Sequence, residues 1–164
     1  IDKLFENFLI SSETTLPKEC RMFMELLFNN FIRFVGEDYT PISIEEITEF
    51  PVEYCVKQEI LGQCNIKTYI GMSEETAIAF ASRYVEDKFE EFDEYVQASL
   101  EDFLNLHNGL FLVNLSNDES IELTLDAPVQ TEEPILEFKN TTYRIPVMYT
   151  FGTVHFIMEV IKIQ

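Results

Sequence analysis

The sequence predicts an α+β fold, a mostly antiparallel β-sheet with helices packed on one face, one of them long and amphipathic. Three observations predict it. Helical and extended patterns are segregated, in the order helix, strands, two helices, strands. The longest helical pattern, Glu91 to Val113, carries Phe92, Val96, Leu100, Phe103, His107, Leu110 and Phe111 at three- and four-residue steps. After Val113 the period changes to two, with Ile121, Leu123 and Leu125 alternating, then Tyr143, Ile145 and Val147, then Val154, Phe156, Met158 and Val160.

Taken in order, residues 1–16 read as a lead-in, in which Phe5, Phe8 and Leu9 suit a short helical turn. Residues 17–164 then read as a single domain. Thr14 or Thr15 suits a helix cap, with Pro17 in the first turn and Gly36 as the stop. Met22, Leu26, Leu27, Phe31 and Phe34 form its apolar stripe. Ile42, Ile44 and Ile47 suggest extended structure, which Pro51 interrupts as at an edge or a boundary. Glu53–Ile60 and Cys64–Ile70 alternate around Leu61-Gly62-Gln63 as a β-hairpin. Ser73 is placed to cap a helix over roughly Glu74–Tyr84, with acidic residues in its first turn. An acidic run, Val85–Glu94, leads into the long helix. Asn140-Thr141 and Phe151-Gly152 are turn candidates, and the last two strands form an antiparallel pair. The alternation slips at Ile161 and Ile163, which predicts a strand end or a bulge there.

Composition narrows the function. With 164 residues, 46% apolar residues and 15 Phe, the chain can bury the core of one ordinary domain. A net charge of −19 argues against nucleic acid and anionic membrane surfaces as partners. No apolar run approaches the ~18 residues of a membrane span, and no signal-peptide pattern is present. Beginning at Ile1 without a Met, the sequence reads as a processed chain or a piece of a longer one. The three Cys suit reduced core thiols, and only Cys55 and Cys64 are placed to approach each other, across the hairpin. His107 falls on the apolar helix face, as a hydrogen-bonded core histidine would. The five Gly form no phosphate-binding loop. No nucleophile with a partner base, metal-ligand spacing or calcium loop appears. Cofactors of the chain's own are therefore not expected.

What remains is polar and helical. Asn105 lies roughly opposite the centre of the apolar face of the long helix, and Asp102 sits about one turn back on the same exposed side. The two read either as part of a solvated face or as a presented carboxylate–amide pair.

The segments Gly71–Val85 (GMSEETAIAFASRYV), Glu91–Gly109 (EFDEYVQASLEDFLNLHNG) and Leu123–Val129 (LTLDAPV) resemble the CheX-like branch of the CheC/CheX/FliY phosphatases of bacterial chemotaxis. The likeness extends over about residues 50–162. Members carry [DS]-x3-E-x2-N on a helix, then twenty-two residues and a Pro. Here Asn105 is followed by twenty-two residues and Pro128. Asp102 stands at the Glu position and Ala98 at the first, with Ser99 one residue off.

The resemblance implies a cytoplasmic phosphatase acting on the aspartyl phosphate of a phosphorylated response-regulator receiver domain, CheY-like. It implies no covalent intermediate. The carboxamide of Asn105 would orient the attacking water, and Asp102, with Glu101 second, would pair with the receiver's Lys. The Mg²⁺ would belong to the receiver. Dimers of the family often join sheets edge to edge, so a homodimer is among the expected partners. Glu91 and Glu94 would oppose docking onto an acidic receiver site unless basic rim residues compensate. Two alternatives stay open: a catalytically weakened binding or dimerisation module, and a flagellar-switch-like scaffold.

Overall fold

A computed structural model of the chain describes residues 17–119 and 122–162. The expected lead-in, the Thr14/Thr15 cap and Ile121 lie outside them. Three helices occur among the described residues: α1 (Lys18–Phe34), α2 (Glu74–Val85) and α3 (Glu94–Glu119). The strands are β1 (Tyr39–Pro41), β2 (Glu45–Pro51), β3 (Tyr54–Gly62), β4 (Asn65–Met72), β5 (Leu123–Leu125), β6 (Val129–Gln130), β7 (Ile135–Tyr149) and β8 (Gly152–Lys162). They form one eight-stranded sheet in the order β1-β7-β8-β4-β3-β5, with β2 also on β7 and β6 also on β3. Every pairing is antiparallel. The predicted α+β class is the observed one.

The helices share one core with the inward residues of the strands, among them Val56, Ile60, Ile66, Ile70, Phe156 and Met158. The other sheet face carries a smaller cluster of Phe50, Cys55, Tyr69, Leu136 and Ile157, all from strands. Helices therefore cover one face, as expected. In α1 the buried arc is wider than the predicted stripe. Cys20, Phe23, Met24, Leu27, Phe28 and Phe31 are enclosed, while Met22, Leu26 and Phe34 are only half-buried. The reason is that α1 packs on two partners at once: the Phe23 ring meets Phe111 of α3 at 5.1 Å and Phe156 of β8 at 5.5 Å. Pro17 occupies the cap position without a side-chain cap, one step before the first turn.

Local chemistry sets the other boundaries. Ser73 caps α2 by accepting from the Thr76 N–H at 3.1 Å. Asp93 Oδ1 accepts from the N–H groups of Tyr95 and Val96, so α3 starts at Glu94 rather than Glu91. Buried Leu115 keeps the helical pattern going past Val113, where period two was expected to begin. The hairpin pairs Tyr54 with Met72 through Ile60 with Ile66. Its turn is Gln63-Cys64, one residue later than predicted. Gly62 sits in β3 at φ 126°, where a Cβ would come within 2.5 Å of the Glu122 carbonyl oxygen.

The predicted turn at Asn140-Thr141 does not exist, because β7 runs through it. Buried Glu159 of β8 explains why. Its Oε2 accepts from the Lys139 N–H, the Asn140 N–H and Asn140 Nδ2, each at 3.2 Å, so the strand stays tied where its polar pair suggested a reversal. The turn at Phe151-Gly152 is present, with Gly152 at φ 146° and pressed against Thr76. The slip at Ile161 is a bulge, since Asn65 pairs with Lys162 and Ile66 with Val160.

All three cysteines are buried thiols outside any disulfide. Cys55 and Cys64 lie on opposite sheet faces at opposite ends of the hairpin, so the expected approach does not occur. Cys64 instead neighbours Cys20. Burial foremost, and then Cys64, push the Cys20 thiol up to about 12.

Candidate functional site

The site lies where α3 passes over β3 and the β5–β6 connection. Ala98, Glu101, Asp102 and Asn105 of α3 face Leu125, Asp126, Ala127 and Pro128 across an open cleft of about 520 Å³. Asn105 and Pro128, with twenty-two residues between them in the sequence pattern, thus line one depression. Among the described residues no Lys or Arg lines it, and three of the eight that do are acidic.

Beneath the cleft the inward face of the sheet breaks its apolar pattern. Gln58 of β3 and Thr68 of β4 are register partners on the helix side, 1% and 0% exposed. Asn108 of α3 is likewise 0% exposed and reaches both. Its Nδ2 donates to Gln58 Oε1 and to Thr68 Oγ1, each at 2.9 Å. The Thr68 hydroxyl donates to the Gln58 carbonyl oxygen at 2.8 Å. Gln58 Nε2 then donates at 2.8 Å to Asn105 Oδ1 and at 2.8 Å to the Asp126 carbonyl oxygen. The Asp126 N–H bonds in turn to the Glu59 carbonyl oxygen, which fixes the loop leading to Pro128.

Asn105 is exposed, as expected, yet it does not stand opposite the apolar face. It sits at the rim where α3 leaves the sheet, one turn before buried Asn108, with one edge of its amide held from below. Asp102 is also exposed, but it belongs to a different anchor. Its Oδ2 accepts from the Tyr84 hydroxyl of α2 at 2.5 Å. Burial chiefly, and then this bond, hold the Tyr84 hydroxyl above the usual phenol range. The expected carboxylate–amide pair is therefore two neighbours with separate supports. Glu101 is half-buried and lines the same cleft. Ser99 offers nothing to it, because its hydroxyl donates to the Tyr95 carbonyl oxygen at 2.7 Å.

His107 is fully enclosed, with its Nδ1 3.0 Å from Asn30 Nδ2 and its ring edge-on to Phe23. Burial pulls it down to about 3, so it is neutral and structural. Among the described residues no group of three His, Cys, Asp or Glu side chains is arranged to hold a metal. Among them, too, no helix is long and apolar enough to cross a membrane. The cleft offers a fixed amide and carboxylates. That equipment suits positioning of a reactant delivered by a partner.

Sequence reasoning missed Gln58, Thr68 and Asn108. Each is an ordinary polar residue locally. The signal was there only in phase: Gln58 and Thr68 occupy inward positions of alternating strands, between Val56 and Ile60 and between Ile66 and Ile70.

No protein-family model matches the chain, and no curated protein does. Solved structures do. A chemotaxis protein CheX from Desulfovibrio desulfuricans superposes with a TM-score of 0.73 at 13% identity, over 88% of this chain and 99% of that one. CheX in the CheX–CheY–BeF3–Mg²⁺ complex from Borrelia burgdorferi gives 0.73 at 14%, over 87% and 97%. FliY from Thermotoga maritima gives 0.59 at 14%, over 90% and 91%. The fold is that of the CheC/CheX class of chemotaxis proteins. CheX structures are among those that share this fold.

Proposed function

We propose that the chain hydrolyses the aspartyl phosphate of a CheY-like response-regulator receiver, with Asn105 as the residue that orients the attacking water. The observation that carries this reading is Asn105 itself: a rim carboxamide over the Pro128 loop, anchored by Gln58 and otherwise facing solvent. A CheX of the same fold in complex with CheY and Mg²⁺ supports the choice of partner. In this reading the receiver brings the phosphoryl group, its Mg²⁺ and its Lys. Water adds to phosphorus as the bond to the aspartyl oxygen breaks, giving inorganic phosphate and a free carboxylate. The chain supplies orientation, the main lever in phosphoryl transfer. Asp102 pairs with the receiver's Lys. No cofactor of the chain's own is required, the setting is the cytoplasm where receivers act, and a homodimer through sheet edges fits the same reading.

The test is the decay of a phosphorylated receiver with Mg²⁺, alone, with the chain, and with Asn105→Ala. The chain accelerates decay and the variant returns it toward the receiver's own rate, a loss of about 100-fold. No acceleration by the intact chain refutes the phosphatase reading for that receiver.

Two observations favour a second reading, a catalytically weakened module that binds a receiver or dimerises. Asp102 is engaged by Tyr84, and Ala98 leaves the first motif position without a polar group. That module would bind the phosphorylated receiver without turnover.

A further inference from the structure

We propose that Gln58 is the positioning residue of this site: it fixes which edge of the Asn105 amide faces the cleft. The inference rests on the phosphatase reading for its consequence, but its geometry stands alone.

Amide orientation is ordinarily ambiguous, because oxygen and nitrogen can exchange places. Here two backbone carbonyls remove the ambiguity, since a carbonyl can only accept. The Asp126 carbonyl lies 2.8 Å from the Gln58 amide, so the Gln58 NH₂ must face it. The Gln58 oxygen then faces Asn108, which must donate. At the other end the Gln58 backbone carbonyl takes the Thr68 hydroxyl hydrogen, so Thr68 Oγ1 accepts, again from Asn108. Both constraints agree. Both hydrogens of Gln58 Nε2 are used, one on Asp126 and one on Asn105. Asn105 must therefore accept through Oδ1, and its Nδ2 is turned to the cleft.

The arrangement leaves Asn108 Oδ1 buried without a hydrogen-bond partner among the described residues. Turning Asn108 over would set that oxygen against Gln58 Oε1 and leave the chain of donors broken. A purely structural role would be filled as well by apolar side chains of the same shape, without this cost. The direction of the hydrogen bonds matters at one place, Asn105. Gln58 also holds the loop that carries Pro128, so amide and cleft wall share one anchor. With Nδ2 outward, Asn105 grips the water through its oxygen. The water's second lone pair is left to attack phosphorus.

Four preparations test this: the intact chain, Gln58→Met, Gln58→Glu and Asn105→Ala. Met has similar volume and no amide. We expect Gln58→Met to lower kcat on the phosphorylated receiver about tenfold or more, with KM within about threefold. In NMR spectra the Asn105 side-chain NH₂ pair, identified by its loss in Asn105→Ala, should be ordered in the intact chain and averaged in Gln58→Met. Gln58→Glu adds a pH signature. A buried carboxyl there titrates above the usual carboxylate range. Ionised, it can donate to neither acceptor; protonated, its one hydrogen is available to Asn105 or to the Asp126 carbonyl oxygen. Its rate relative to the intact chain should rise as pH falls from about 8.5 to 6.5.

A Gln58→Met kcat within twofold of the parent overturns the proposal. So does an Asn105 NH₂ pair equally mobile in both proteins, or a flat pH ratio in Gln58→Glu. If the intact chain fails to accelerate decay at all, the phosphatase reading falls, and the NMR comparison still decides the positioning claim. Should Gln58→Met not fold, the Gln58→Glu profile and spectra decide it.

Discussion

Asn105 and Asp102 stand one turn apart on α3 and line the same cleft, yet they are held in opposite ways. Asn105 is tied downward into the sheet through Gln58, and from there to Thr68 and Asn108, all at least 99% enclosed. Asp102 is tied sideways to Tyr84, by one bond between partly exposed groups on two helices. Water competes more for the second bond, which is exposed, than for the first, which is part-buried. The difference teaches that motif residues adjacent on a helix need not share rigidity. The amide is an extension of the sheet, while the carboxylate rests on a single exposed hydrogen bond.

Removing the support beneath the Gln58 anchor should have the largest effect. Asn108→Ala strips donors from Gln58 Oε1 and Thr68 Oγ1 and leaves a hole in the core. We expect a loss of about 3 kcal/mol in unfolding free energy, from stranded polar groups and lost packing. Urea unfolding followed by circular dichroism measures it. A loss below about 1 kcal/mol would mean the network contributes little to the fold.

Next comes Asn105→Asp. It keeps an acceptor for Gln58 and replaces the outward NH₂ with a second oxygen. If Asn105 orients water through Nδ2, the rate of receiver dephosphorylation falls about 100-fold, as for Ala, while the melting temperature stays within a few degrees. An active Asp variant would assign the residue a general-base role instead.

A third prediction contrasts Asn108 with its neighbour His107, also fully enclosed but titratable. His107 is held at about 3, below the ordinary value near 6.5. Its folded-state value is depressed, so the unfolded chain binds the extra proton. Stability from this group is therefore complete above about pH 6.5 and declines as pH falls toward 3. Between pH 7 and pH 5 the loss amounts to about 2 kcal/mol. His107→Gln should flatten the slope of unfolding free energy over that interval relative to the parent. Asp38, bound to Arg83 and Thr150, sits below the ordinary carboxylate range, so its own loss falls at still lower pH.

These predictions depend on residues of unequal legibility. Asn105 and Pro128 could be found because their spacing matched a pattern. Ser73, Gly152 and the bulge at Ile161 could be found because cap, turn and phase obey local rules. Gln58, Thr68 and Asn108 could not, since each acquires its role from two others 10 to 50 residues away. Asn140-Thr141 misled for the same reason: the Glu159 carboxylate that keeps the strand running is on another strand. Local rules reached the element boundaries, while the polar core beneath the cleft is a product of register and helix placement.

The smallest expected effect is the one that tests the carboxylate side of the comparison. Tyr84→Phe deletes the hydroxyl and keeps the ring, which packs edge-on to Phe34 and Phe103. Removing one bond between partly exposed groups should change stability by less than about 1 kcal/mol. Its effect on function separates two roles for Tyr84. If the hydroxyl competes with the receiver's Lys for Asp102, its loss raises affinity for the phosphorylated receiver about two- to threefold, read as a lower KM at unchanged kcat. If it instead presents Asp102 to that Lys, KM rises by a similar factor. Asp102→Asn supplies the control, because without the charge Tyr84→Phe should have no further effect on KM in the double variant. An additive double variant would mean that Tyr84 acts on docking through its ring, and that Asp102 is not the group it governs.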